Sequence, residues 1–312
     1  MGATTRELFG DSESEPAVPG SYGEPPRNFR LPDATRLGPV HLRVADLARS
    51  IGYYESVIGF QVMQRSDRRA ALGAHDDDRV VLELHERLGA RPASRRGRLG
   101  LFHFAVLLPN RPALGRFVRH LADEGIQAGG ADHLVSEAFY LQDPDGLGIE
   151  VYADRPRDTW RRRGRELLLA TDPVDTEALL RVAGQARWDG MPAGTVIGHV
   201  HLHVGNIEAG AAFFSEALGF DRMTWSYPGA LFLGAGGYHH HLGTNTWAGA
   251  GAPPMRSDDA GLLEWTIELP DASAIAAAAA SLSSGGCQVT REDQSLLTAD
   301  PWGTPVRLRT AK

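Results

Sequence analysis

The sequence predicts an α+β fold made of four βαβββ modules, and three observations carry that expectation. Residues 40–60, VHLRVADLARSIGYYESVIGF, and 200–220, VHLHVGNIEAGAAFFSEALGF, share six identical positions of 21 and the same spacing of apolar residues. Residues 100–110, GLFHFAVLLPN, match the pattern of 261–271, GLLEWTIELPD. Each of this second pair leads through a helical stretch to two strands joined by a turn, Asp143-Pro144-Asp145-Gly146 or Asp300-Pro301-Trp302-Gly303, with Pro early and Gly late as a tight turn requires. A motif of about 50 residues met four times is one supersecondary unit reused.

Taken in order, residues 1–36 are rich in Pro, Gly, Glu and Ser and poor in large apolar side chains. They are expected to form a flexible N-terminal arm. Module 1, residues 38–90, starts with a strand and passes into a helix whose apolar positions Leu47, Ile51, Tyr54 and Ile58 step by four, three and four before Gly59 ends it. Module 2, 98–155, carries a helix over 111–124. A connector, 156–194, follows, with a short helix near 176–183 and a run Arg161–Arg163 read as a solvated helix face. Module 3, 196–250, repeats the helical spacing as Ile207, Ala211, Phe214 and Leu218 before Gly219, and module 4, 260–310, carries a helix over 272–284. Grouped in chain order, the modules define an N-terminal domain, 37–155, and a C-terminal domain, 195–312.

Composition narrows the function classes. With 42% hydrophobic and 23% charged residues the chain can build real cores, and it has no apolar run of membrane-spanning length. A start without a basic-then-apolar signal pattern leads to an expected cytoplasmic location. One cysteine, Cys287, excludes a disulfide framework and a Cys-based zinc cluster. Thirty-two basic against 39 acidic residues provide no basic field for nucleic acid, and no membrane partner is expected. Twelve histidines are the unusual resource. Residues 197–206, IGHVHLHVGN, alternate so that His199, His201 and His203 share one strand face while Val200, Leu202 and Val204 share the other, the pattern of a half-buried strand.

Four βαβββ units in this order resemble the vicinal oxygen chelate superfamily of glyoxalase I, bleomycin-resistance proteins and extradiol dioxygenases. The segments YLQDPDGLGIEVYADRP (140–156), IGHVHLHVGN and GGYHHHLGTNTW (236–247) are similar to bacterial catechol 2,3-dioxygenases of the CatE type. The resemblance implies that modules pair into two cupped mixed sheets, with metal ligands on the first and last strands of each module. Counting seven residues back from the Asp or Asn before each helix places Pro39, His103, His199 and Glu264 at the first-strand ligand position. The last strands offer Glu83, Glu150, His240 (by register among His239–His241) and Arg307.

Two pairings compete. Modules 2 and 3 together supply His103, Glu150 and His199, a two-His, one-carboxylate set of the kind that binds non-haem iron, while modules 1 and 4 are left with Pro39 and Arg307, which cannot ligate. Sequential pairing would instead join His199, His240 and Glu264. Tyr140, ten residues before Glu150, and the nearby His133 match the extradiol pattern and favour modules 2 and 3. On that reading the resemblance implies an Fe(II) cofactor, with Mn(II) as the alternative metal, and catechol and O2 as substrates. It also implies His240 as acid–base, Tyr140 as donor to bound oxygen, and His133 as the group that orients substrate or Tyr140. His201, His203, Trp247 and Tyr227 are expected to line the substrate site. Glu83 and Glu264 read as remnants of a lost site, and His41 as a packed sheet histidine. Flat sheet edges and the long connector are compatible with a homodimer. Two other readings stay open on the same fold: a glyoxalase-like metal-dependent isomerase or lyase, and a metal-free resistance protein that binds a small molecule.

Overall fold

A computed structural model describes residues 2–10, 13–93 and 97–311. All four modules form. One eight-stranded sheet runs, edge to edge, 221–224, 230–234, 242–245, 196–203, 100–107, 148–154, 136–142, 129–132, and so is built from modules 3 and 2. The other runs 290–292, 295–299, 305–310, 261–269, 36–44, 80–86, 69–73, 61–65, from modules 4 and 1. In each sheet the two modules meet through antiparallel first strands, and each first strand lies parallel to its own module's last strand. The division into sequential domains 37–155 and 195–312 is therefore corrected: each sheet takes one module from each half of the chain.

Alternation places one face of each central strand in a core shared by both sheets. Val40, Leu42 and Val44 pack there with Phe104, Val106, Val200, Leu202 and Ile267, joined by helix residues such as Ile51, Phe117, Phe214 and Leu282. Strand Val196–His203 is buried on both faces, not one, because its histidine face closes over a cavity. The helices of modules 1 and 3 each end in a π-turn, 54–58 and 212–217, closed by i to i−5 bonds such as Gly59 N–H to Tyr54 O. Gly59 then takes φ +90°, and a Cβ there would lie 2.9 Å from the Trp188 ring, so both conformation and space demand glycine. The module 2 turn ties the sheets together. Asp145 accepts the Ala45 N–H at 3.0 Å and pairs with Arg49, while the Tyr54 hydroxyl donates to Asp143 at 3.1 Å.

The expected flexible arm is docked wherever it is described; residues 1, 11 and 12 lie outside the described set. Thr4 and Glu7 form a capping box on the helix Thr5–Phe9, Glu15–Pro16 pairs with Arg161–Arg162, and Leu31 is buried. A few buried anchors and backbone bonds, including Tyr22 hydroxyl to the Gly237 carbonyl at 2.8 Å, hold a segment whose average composition is polar. The arginine run is likewise a short strand and not a helix: Arg162 pairs with Glu15 at 2.5 Å, and Arg163 lies over the Phe9 ring. The connector helix spans Thr176–Ala183, capped by Asp175. No helix among the described residues is long and apolar enough to cross a membrane.

Candidate functional site

Strand register assembles the site. His199 lies opposite Ala105, Ala105 opposite Glu150, and Glu150 opposite Tyr140, so a single row crosses four strands. His103, two residues before Ala105, shares its face. Neighbouring strands lie about 4.8 Å apart, so His199 and Glu150 can meet only over a small residue, and Ala105 is that residue. The Glu150 Oε2 sits 3.0 Å from His103 Nε2 and 3.2 Å from His199 Nε2, and the three ligating atoms lie within 4.8 Å of one another in a fully buried setting. His103 Nε2 is buried and makes no hydrogen bond in spite of its short approach to the carboxylate. A buried nitrogen aimed at a carboxylate without hydrogen-bond geometry is the arrangement of two groups that share a cation, so the donor set fits a divalent metal. Burial would raise the Glu150 pKa, but the His199 and His103 imidazoles outweigh it and hold the carboxyl well below its ordinary value. Burial lowers both histidines against the opposing pull of Glu150, which favours the neutral, ligating form.

Around this triad lies a cavity of about 730 Å³. His133, Tyr140, His201, Tyr227, His240 and Trp247, all expected near the site, line it. His203, also expected there, has its Nδ1 bonded to the Asn245 Oδ1 at 2.6 Å and its ring packed on Phe102, itself a wall residue. A bulge between His201 and Leu202 breaks the strict register at that point. Asn245 also donates to His201 Nε2 at 2.9 Å, and so holds both rings. His240 lies in the bend just before strand Leu242–Asn245 and not on a regular last strand, yet its ring still faces His199 at 4.2 Å. A smaller cavity of about 440 Å³, lined by Leu37, Arg157 and His241 among others, contains none of the triad.

Two hydrogen-bonded chains set the proton positions. His133 Nδ1 meets the Ala170 carbonyl at 2.6 Å and must donate there, which leaves Nε2 to accept from the Tyr140 hydroxyl at 2.6 Å. Burial, then the Glu150 charge, keeps the Tyr140 phenol protonated. On the other side His239 Nε2 meets Asp154 at 2.9 Å, and His239 Nδ1 meets His240 Nδ1 at 2.7 Å. A carboxylate only accepts, so the network assigns the His239 proton to Nε2 and the His240 proton to Nδ1. The Nε2 of His240 is then an acceptor, and burial followed by the neighbouring His199 holds this imidazole neutral.

Sequence reasoning missed several parts of the site. Asp154 lies four residues after Glu150 on one strand, hence on the same face, and that spacing is a usable signal. Phe102 and Phe232 on the wall, the connector residues Leu169 and Pro173, and the arm residues Gly2 and Thr4 come from segments with no local mark of function. The arm is pinned there by the Ala3 N–H to Tyr227 hydroxyl bond at 2.8 Å and by Thr5 on Asp172.

The model of the Glyoxalase/Bleomycin resistance protein/Dioxygenase superfamily matches residues 36–151. A catechol-2,3-dioxygenase of Bacillus subtilis (strain 168) is 44% identical over 270 residues, 86% of this chain and 94% of that protein. Among solved structures, a putative dioxygenase from Bacillus subtilis superposes with a TM-score of 0.61 at 11% identity, over 91% of this chain and 86% of that one. Glyoxalase I from Zea mays superposes at 0.52 with 18% identity, over 89% and 92%. At such identities the two structural likenesses concern the fold.

Proposed function

This chain belongs to the Glyoxalase/Bleomycin resistance protein/Dioxygenase superfamily and is an enzyme of its extradiol dioxygenase type, and from that premise we propose that it opens the ring of a catechol with O2 at an iron(II) held by His103, Glu150 and His199. The observation that carries the reading is the convergence of those three groups at the wall of a cavity that also holds Tyr140 and His240. A bound iron would supply a chelation point for both catechol oxygens and the redox chemistry that O2 requires. The protein's own residues handle protons and position. His240 Nε2, the nitrogen not engaged with His239, takes a proton from a catechol hydroxyl and returns it when the ring opens. The Tyr140 hydroxyl and His133 Nε2 hold one proton between them and can offer it to a substrate oxygen. Phe102, Phe232 and Trp247 enclose the ring and keep bulk water from it. Ala131, Leu169 and Pro173 beside these rings make the described wall largely apolar. That favours a catechol whose substituent is apolar and uncharged, and the product is a muconic semialdehyde of 2,3-type cleavage.

Anaerobic reconstitution with Fe(II), followed by metal analysis and an oxygen electrode, tests this. We expect stoichiometric iron and catechol-dependent O2 uptake. His103→Ala, His199→Ala and Glu150→Gln should lose the iron, and Glu264→Ala should keep it. Tight zinc or nickel that is lost in His103→Ala/His199→Ala, with no O2 uptake, would support a glyoxalase-like isomerase instead, and loss of iron in Glu264→Ala but not in Glu150→Gln would overturn the ligand set.

A further inference from the structure

We infer that the sheet of modules 1 and 4 carries a second, independent site for a divalent transition ion of the zinc class, formed by His41, Glu83 and His85. The three are brought together by adjacent parallel strands: His41 lies directly opposite Glu83, and His85 follows Glu83 by two residues on the same face. Their ligating atoms fall within 4.8 Å of one another. One carboxylate oxygen, Glu83 Oε2, stands between two imidazole nitrogens, 3.4 Å from His41 Nδ1 and 3.6 Å from His85 Nε2. Glu150 Oε2 stands in the same relation to His103 and His199. At 3.6 Å the second contact is too long for a hydrogen bond, and His85 Nε2 is shut off from solvent without making one. An ion between the three groups would satisfy that nitrogen and draw the cluster together.

Of the three, only Glu83 lies at an inherited ligand position, so the cluster is not the ligand row moved to the other sheet. Pro39 fills that row in module 1, and His41 lies two residues further on, at the position of His201 in module 3. The surroundings tolerate a cation. Two cations act on the cluster, and both are already paired: Arg307 with Glu264 at 2.6 and 2.8 Å and with Glu292 at 2.9 Å, and Arg309 with Glu268 at 2.8 Å. Glu264, opposite His41 with an oxygen 4.0 Å from its Nε2, adds negative potential. Two imidazoles and one carboxylate select zinc, cobalt or nickel over magnesium or calcium, and the partial exposure of Glu83 leaves a position for water.

Equilibrium dialysis of the metal-free full chain against Co(II), read by metal analysis and by the visible d–d spectrum, tests the site. The wild type should bind two equivalents. His103→Ala/His199→Ala should keep one, with a spectrum that His41→Ala/His85→Ala removes from the wild type. His41→Ala/His85→Ala should keep one equivalent and, after loading with iron, its catechol-dependent O2 uptake. Glu83→Gln, which preserves volume, should behave as the histidine double variant does if that variant folds poorly by circular dichroism. A single equivalent in the wild type that His103→Ala/His199→Ala abolishes, or a second equivalent that survives both His41→Ala/His85→Ala and Glu83→Gln, overturns the assignment. Neither outcome touches the triad of the other sheet.

Discussion

Asp143 offers a prediction whose size can be worked from its surroundings. Its carboxyl is buried in the turn that docks module 2 on module 1, where it accepts the N–H groups of Asp145 and Leu147 and the Tyr54 hydroxyl. Burial pushes its pKa up to about 6, with the nearby Asp145 adding to the effect and the backbone N–H groups opposing it. The unfolded value is near 3.8. Between the two values the folded chain binds more protons than the unfolded chain, so the contribution to stability is complete below about pH 4 and is lost as pH rises through about 6. A shift of this size is worth about 3 kcal/mol. With an unfolding entropy on the order of 2 cal/mol/K per residue, the whole effect is about 4–5 °C in melting temperature for a chain of this length. Asp143→Asn keeps an acceptor for both N–H groups but cannot ionise. Urea unfolding of the metal-free wild type and of Asp143→Asn from pH 4.5 to 7.5 should show the variant gaining on the wild type as pH rises, by up to about 1.4 kcal/mol per unit at the steepest point. Any constant cost of turning the Tyr54 contact around cancels in that slope. A difference that stays flat across the range would refute the reasoning.

Three further predictions concern the site. Ala105→Val places two extra methyl groups in the gap that His199 and Glu150 reach across; overpacking of about 1–3 kcal/mol should separate them, and iron retention should fall at least tenfold while the circular dichroism spectrum stays unchanged. Asp154→Ala removes the acceptor that sets the His239 tautomer; kcat should drop by about 10–100-fold with little change in KM, and nitrogen NMR of the metal-free protein should show the His240 proton no longer confined to Nδ1. An unchanged tautomer with unchanged kcat would sink the relay. A catechol bearing a short alkyl group should be turned over with at least tenfold higher kcat/KM than one bearing a carboxylate at the same position, since the apolar wall of Phe102, Leu169, Pro173 and Phe232 would desolvate that charge. Equal values would refute the substrate class and leave ring cleavage itself untouched.

The sequence alone determined the modules. Periodicity of 3.6 and of 2 is a local property of the chain, so Leu47, Ile51, Tyr54 and Ile58 mark a helix and His199, His201 and His203 mark one strand face without any tertiary information. The spacing from a helix cap is equally local, and with the ligand positions that the resemblance to the vicinal oxygen chelate superfamily implies, it singles out His103, Glu150 and His199 together. What the tertiary structure decided is which edges meet. Every first strand presents the same unpaired backbone edge, and backbone hydrogen bonding does not discriminate among four such edges. The choice rests on side-chain volumes across strands that are distant in the chain, such as small Ala105 between His199 and Glu150. The same limit applies to the arm, whose average polarity conceals Phe9, Tyr22 and Leu31 as anchors, and to His203, whose partners Asn245 and Phe102 come from two neighbouring strands. It applies most of all to His41. Strand alternation identifies it only as a sheet histidine, and its importance comes from Glu83 and His85, which a parallel strand lays beside it about 40 residues later in the chain.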